Sequence, residues 1–241
     1  ARASLFSLRN LKSLILFCLK IIRYYWHEPN ILKSLKKLNI NYIFDVGSHR
    51  GESIDYFIKL KNLKKIQSFE PQKDIFLVLK KKYKNNNKVI LNQIALSQNE
   101  NYKDFYINDL SSTSTFSRLN KKSLWLKIKN KILNKKNPII NKIKIRSLTI
   151  DKFIKQKKIK KIDLLKIDTE GHELEVLKGA LKTIKEHKVK FILIELHFSK
   201  MYQNYSKKKI ESFLAKNNFF LLKKFKFPFL SFVDNLYKFE K

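Results

Sequence analysis

Apolar positions along this chain follow two rhythms. Short, largely apolar runs, as at Tyr42–Asp45, Ile162–Ile167 and Val189–Leu196, read as buried strands, and Lys65–Phe69 reads as a further strand ending at Glu70-Pro71. Between them, apolar residues recur every three or four positions. Glu52–Leu60 carries Ile54, Phe57, Ile58 and Leu60, and Asp74–Tyr83 carries Ile75, Leu77, Val78, Leu79 and Tyr83. A further helix has Leu174, Leu177, Leu181 and Ile184 on one face. Short strands are also predicted at Val89–Leu96, Tyr102–Ile107 and Lys142–Leu148, and helices at Thr149–Ile154 and Lys207–Asn217. Phe219–Phe225 and Asn235–Phe239 close the chain as an antiparallel pair. Strands alternating with helices indicate an open, mostly parallel sheet wrapped by helices.

Such sheets bind ligands at the carboxyl ends of their strands. Asp45, Glu70, Asp168 and Glu195 all fall at or near predicted strand ends, so the pattern places four acids on one rim. Only four glycines occur. Gly47 and Gly51 bracket the loop after the first strand, and Gly171 and Gly179 follow Asp168. Strand, two-glycine loop and helix predict a turn whose backbone N–H groups face a nucleotide-like ligand, with Gly51 allowing close approach to it. Glu70 follows Asp45 at the distance where a β-α-β nucleotide fold places its ribose-binding acid.

Residues 4–26 are apolar and basic, with no apolar run long enough to span a bilayer. They read as a helix that docks on the domain or lies in a membrane interface, with Tyr24, Tyr25 and Trp26 at headgroup level. Ile31–Leu38 reads as a short basic helix leading into the first strand. The expected division is therefore an N-terminal basic, amphipathic helical segment over 1–40 and a catalytic domain over 41–241. Within 108–141, where acceptor contacts are expected, Ser111–Thr115 is a run of five hydroxyl side chains, and the Lys- and Asn-rich stretch 119–137 reads as a surface excursion, with a substrate lid as the alternative.

Composition changes this picture little. A chain of 241 residues, 44% hydrophobic, holds one sizeable domain and is not disordered. Its net charge is +33, yet only six of its 53 basic residues are arginines. The abundance of Lys, Ile, Asn and Phe matches A/T-rich codon usage, and specific nucleic-acid binding is not expected because arginine forks are scarce. Cys18 is the single cysteine, which excludes an intrachain disulfide and a Cys-rich zinc site. The expected location is cytoplasmic, with peripheral membrane contact through 4–26.

Five stretches in order carry a family resemblance: Phe-Asp-Val-Gly-Ser-His-Arg-Gly-Glu-Ser (44–53), Ser-Phe-Glu-Pro (68–71), Asn-Gln-Ile-Ala-Leu-Ser (92–97), Arg-Ser-Leu-Thr-Ile-Asp-Lys-Phe (146–153) and the segment 162–180 around Lys-Ile-Asp-Thr-Glu-Gly-His-Glu. The chain resembles the FkbM family of S-adenosylmethionine-dependent methyltransferases over roughly 42–197. His49-Arg50 departs from the small or Asn-type residues more usual there. The resemblance implies a Rossmann-like class I methyltransferase fold, with a mostly parallel seven-stranded sheet, helices on both faces and a reversed final strand. It implies S-adenosylmethionine as cofactor, bound by Asp45, Val46, Gly47, Ser48, Gly51, Glu70, Pro71 and Ala95. Glu70 would accept bonds from the ribose hydroxyls and Ala95 would lie beside the adenine. The family methylates hydroxyl oxygens of sugars, polyketides and other small molecules.

Methyl transfer to a hydroxyl needs a held acceptor and a group to take its proton. Strand parity puts Lys166 with Asp168, and Glu195 with His197, so Asp168, Glu170, Glu195 and His197 can converge. Asp168 is the favoured orienter or base, with Glu170 and His172 secondary. His197 is a rival base because the ordinary histidine pKa is near neutrality. Asp168 and Glu170 could instead favour the following helix dipole, and Lys166 reads as an ion-pair partner. A metal held by Asp168, Glu170 and His197 is chemically reasonable, but no compact ligand spacing supports it and none is expected. The predicted function is O-methylation of a small molecule or glycan. The alternatives are methylation of RNA or protein through the basic surface, and a non-catalytic membrane-associated protein of the same fold.

Overall fold

The structure, a computed structural model, describes residues 13–14, 17–108, 113–124, 126–127, 130, 139–198, 201–227 and 232–241. Much of 4–16, Ser111, Ser112 and most of 125–138 lie outside the described residues, as do parts of the N-terminal helix and the lid expected there. A π-helical turn, Arg23–His27, runs into α1 (Glu28–Leu35). The alternation then proceeds as β1 (Tyr42–Val46), α2 (Glu52–Phe57), β2 (Lys65–Phe69), α3 (Lys73–Lys82) and β3 (Val89–Asn92). After β4 (Ala95–Leu96), β5 (Tyr102–Asn108) and β6 (Ile139–Leu148) come α4 (Ile150–Lys157), β7 (Ile162–Ile167), α5 (Glu173–Lys178) and α6 (Leu181–Lys185). β8 (Val189–His197), α7 (Lys207–Lys216), β9 (Phe219–Lys226) and β10 (Phe232–Phe239) complete it.

The main sheet has seven strands in the order β3-β2-β1-β7-β8-β10-β9. All run parallel except β10, which pairs antiparallel with both neighbours. The Rossmann-like sheet and its reversed final strand are as expected. Parity sorts the side chains. Phe44, Val46, Phe69, Leu165, Ile167, Ile192 and Ile194 pack against α4 to α7, while Ile43, Ile66, Leu164, Phe191 and Leu193 pack against α1 to α3.

Three elements differ from the sequence reading. The expected third strand breaks at Asn92, whose side-chain amide donates to Gln67 and to the Ser68 carbonyl. β4 then leaves the main sheet to pair with β6 in a small sheet ordered β4-β6-β5. The helix expected through Leu174–Ile184 is two, because Asp151 of α4 caps the second. Its carboxylate accepts from the Lys182 and Thr183 N–H groups and from the Thr183 hydroxyl. Thr149, the other residue expected at the start of α4, is its N-cap and accepts from Lys152 N–H at 3.0 Å.

Leu35 of α1 is fully buried and Ile31 nearly so, both in the cluster with Ile43, Ile54 and Phe57. His27 turns inward to bond Asp234 at 2.7 Å, whereas Phe17, Tyr24, Tyr25 and Trp26 are exposed. No helix of the described residues is long and apolar enough to cross a membrane. Because α1 completes one face of the sheet, Leu35→Ala is expected to cost about 2–5 kcal/mol, the range for truncating a buried leucine. Urea unfolding followed by circular dichroism measures it, and a change under 1 kcal/mol would make α1 an appendage.

Candidate active site

The parity that places Ile43, Leu164 and Leu193 on one face carries Asp45, Lys166, Asp168, Glu195 and His197 onto that face at the carboxyl ends of β1, β7 and β8. Lys166 joins the first two strands. Its ammonium is 3.4 Å from Asp45 Oδ1 and from Asp168 Oδ2, and it donates to the Gly47 carbonyl at 3.0 Å. Burial works against its charge, but Asp45 and Asp168 outweigh it and raise its pKa above the ordinary lysine value. The ion-pair role expected for Lys166 is the one it has.

The loop after β1 is tied internally. Phe69 O accepts from the N–H groups of Gly47 and Ser48, Glu70 from His49, Glu52 from Arg50, and Ser48 O from Gly51. The expectation that these N–H groups face a ligand is therefore corrected, since each has a partner in the protein. Both glycines have positive φ, yet their bareness serves packing. A Cβ on Gly47 would lie 1.8 Å from the Asp168 carbonyl oxygen, and one on Gly51 would lie 2.3 Å from the Tyr83 hydroxyl. Gly51 thus admits Tyr83, where close approach to a ligand was expected. Asp45 accepts from Ser53 at 2.7 Å, Ser48 donates to the Asp45 carbonyl, and Val46 is buried in the core.

Glu70 follows β2 and accepts one backbone N–H on each oxygen, from His49 at 3.0 Å and Gln72 at 2.8 Å. Burial pushes its carboxyl up to about 7, against the lowering effect of those bonds and of His49. The Gln72 side chain bonds the carboxylate as well, and the lone-pair capacity that is left suits a single ligand hydroxyl. Pro71 ends β2 beside it. Ala95 is buried in β4, one strand segment beyond β3.

After β7 the chain tightens into Asp168-Thr169-Glu170-Gly171. Glu170 has φ +53, a left-handed conformation uncommon for its type. Buried Glu173 holds this turn through one oxygen, which accepts from Thr169 N–H, Gly171 N–H and the Thr169 hydroxyl. Tyr202 donates to Glu170. One carboxylate oxygen each of Asp168, Glu170 and Glu195 lie within 4.8 Å of one another. His197 Nε2 is 3.8 Å from both Glu170 and Glu195, and neither ring nitrogen has a hydrogen-bond partner among the described residues. Burial, then Asp168, Asp234 and Glu170, push the Glu195 carboxyl well above the usual carboxylate range. The convergence expected for Asp168, Glu170, Glu195 and His197 is present.

His172 is elsewhere. Its Nε2 is 3.0 Å from Ser97 Oγ and its ring lies against Phe116. Burial, with Lys103 beside it, pushes its pKa down to about 3, so the ring is neutral and a weak proton acceptor. Glu173, Tyr202 and Arg23 went unassigned in the sequence reading. Burial alone would lower the Arg23 pKa, but the charges of Glu195, Asp168, Asp234 and Glu28 raise it, which marks it as a cation of this site. Glu173 had a signal, since an acid four residues after Thr169 at a helix start can reach back to free N–H groups. Arg23 and Tyr202 had none. The described excursion residues dock here too, with Thr115 donating to the Thr169 carbonyl and Ser117 to the Gly171 carbonyl.

The model of the methyltransferase FkbM domain matches residues 45–221. The chain belongs to the FkbM methyltransferase family, whose cofactor is S-adenosylmethionine. A hexuronic acid methyltransferase of Haloferax volcanii, AglP, is 36% identical over 53 residues, 22% of this chain and 21% of that protein. The FkbM methyltransferase of Methylobacillus flagellatus superposes with a TM-score of 0.55 at 17% identity, over 83% of this chain and 44% of the other. An S-adenosylmethionine-dependent methyltransferase of Clostridium acetobutylicum matches with a TM-score of 0.49 at 10% identity, over 95% and 100%. This FkbM domain thus matches less than half the length of the first two relatives.

Glu173→Ala removes the only protein acceptor recorded for the Thr169 and Gly171 N–H groups. It is expected to destabilise the protein by about 3 kcal/mol, as for buried donors left unsatisfied. Urea denaturation reads this directly, and a cost near zero would show that the turn holds itself.

Proposed function

We propose that this FkbM domain transfers the methyl group of S-adenosylmethionine to a hydroxyl oxygen of a small molecule or glycan. His197 carries the reading. It is a buried imidazole whose ring nitrogens have no hydrogen-bond partner among the described residues, next to Glu170 and Glu195 at the end of β8. A buried nitrogen without a partner costs about 1–3 kcal/mol unless a bound group satisfies it, and an acceptor hydroxyl is such a group. Glu70 would accept from a ribose hydroxyl with the lone pair that His49 and Gln72 leave free, and the loop of Gly47–Gly51 would form the wall of the cofactor site. The bound cofactor supplies a methyl carbon open to in-line attack. Asp168 orients the acceptor, and His197 Nε2 takes the proton that the acceptor oxygen must lose, with Glu170 and Glu195 stabilising the charge that the ring gains. The Haloferax relative's name supports including sugar acids among the acceptors.

Ribose hydroxyls donate to the ionised form of Glu70, so cofactor binding favours the carboxylate. Affinity for S-adenosylhomocysteine is expected to rise about tenfold from pH 6 to pH 8 and then level off, given a free pKa of about 7. In the free protein a carboxyl raised from 4.5 to about 7 favours the protonated fold. That contribution is fully present below about 4.5 and lost as the pH rises through 7. Calorimetry across this range, with Glu70→Gln flattening the profile, tests the site. An unchanged profile in the variant would remove Glu70 from it.

The transfer itself is tested with labelled cofactor and a panel of sugars, sugar acids and RNA. Product on a sugar hydroxyl is expected, with His197→Ala lowering kcat about 10²–10⁴-fold, as for loss of a general base. Labelling of RNA alone, weakening with salt, would replace this reading.

A further inference from the structure

The carboxylates of Asp168, Glu170 and Glu195 form a compact group that hydroxyl binding alone does not explain. They come from the end of β7, the turn that follows it, and β8, and Glu195 is only 5% exposed. Buried acids are normally paired or bound to metal. The nearby fixed cations, Lys166 and Arg23, serve other acids as well. Lys166 is shared between Asp168 and Asp45 and bonds the Gly47 carbonyl, and Arg23, whose side chain is 40% exposed, lies 4.0 Å from Glu28. Asp234 itself, opposite Glu195 in the sheet, pairs with His27. Tyr202 occupies one lone pair of Glu170.

A second observation points the same way. His197 is 3% exposed, and its Nε2 is 3.8 Å from oxygens of both Glu170 and Glu195, too far to bond either. The unpartnered nitrogen is therefore aimed into the acid cluster, where a water or hydroxyl held on a metal ion would meet it.

We propose that Asp168, Glu170 and Glu195 form a site for one divalent cation of the hard, oxygen-preferring class (Mg²⁺, Mn²⁺ or Ca²⁺). An all-carboxylate set selects that class over zinc or copper. Metal–oxygen distances of about 2.1–2.5 Å set ligand oxygens about 3–5 Å apart, which includes the 4.8 Å limit found here. Three protein ligands leave positions open for water and for the acceptor. Resting on the methyltransferase reading, the role follows: the cation binds the acceptor hydroxyl, lowers its pKa and presents its proton to His197 Nε2. The competing occupant of this negative patch is the cationic end of the cofactor, and a titration with metal alone separates the two.

Chelator-treated full chain, free of cofactor, is titrated with Mn²⁺ and read by electron paramagnetic resonance. S-adenosylhomocysteine binding is measured separately on the same sample. One saturable Mn²⁺ site per chain is expected, displaced by Mg²⁺ or Ca²⁺. Glu170→Gln and Glu195→Gln should each weaken it about tenfold or more, while the exposed Glu186→Gln leaves it unchanged. Because the net charge of +33 repels cations in general, diffuse binding will not imitate a site. A wild-type chain that binds S-adenosylhomocysteine but shows no saturable Mn²⁺ site overturns the proposal without reference to any variant. So does a site that neither substitution weakens in variants whose S-adenosylhomocysteine affinity is normal. Failure of S-adenosylhomocysteine to bind would instead count against the cofactor reading, and the metal titration would still be read independently.

Discussion

The buried ammonium of Lys166 holds the working end of this molecule together. It bridges Asp45 at the end of β1 and Asp168 just beyond β7, and it bonds the carbonyl of Gly47 between them. Two neighbouring parallel strands thus have their following loops fixed to one charge. A buried pair of this kind adds little net stability over apolar packing, but removing one partner leaves costly uncompensated charge. Its value here is position. With Lys166 in place, the Gly47 turn lies directly on the Asp168 carbonyl, so the loop after β1 and the acid-bearing loop form one rigid rim.

That rigidity changes how the glycine-rich loop should be understood. Its N–H groups are satisfied by Phe69, Glu70, Glu52 and Ser48, so the loop is a shaped wall held from behind. The Glu70 carboxylate anchors the backbone N–H groups of His49 and Gln72 and also bonds the Gln72 side chain. Burial still raises its pKa toward neutrality, because these bonds do not fully replace the water it has lost.

The opposite side of the rim is organised by Glu173, an acid whose role is internal. By gathering the amides of Thr169 and Gly171, it stabilises the left-handed Glu170 and turns that carboxylate toward Glu195 and His197. Local strain at a turn is sustained by neighbours that over-determine it. Thr115 and Ser117 add to this support by donating to the Thr169 and Gly171 carbonyls.

The alternating sheet and the rim of acids were legible in the sequence because they depend on short-range periodicity, and the family resemblance implied the reversed last strand. A strand buried on both faces must be continuously apolar, and parity fixes which residues share a side. Parity could therefore pair Lys166 with Asp168 and Glu195 with His197, each on its own strand, and the family resemblance supplied the cofactor. What the sequence could not supply depends on partners distant along the chain. Asp151 divides a helix by capping residues 31 and 32 positions later. Gly51 is bare to admit Tyr83, His172 is withdrawn to Ser97, and Tyr202 reaches Glu170 from beyond β8. Periodicity determined the layers and their rim. Only the tertiary structure decided which acids meet, because carboxylate proximity depends on side chains brought together by loops whose courses no local pattern encodes.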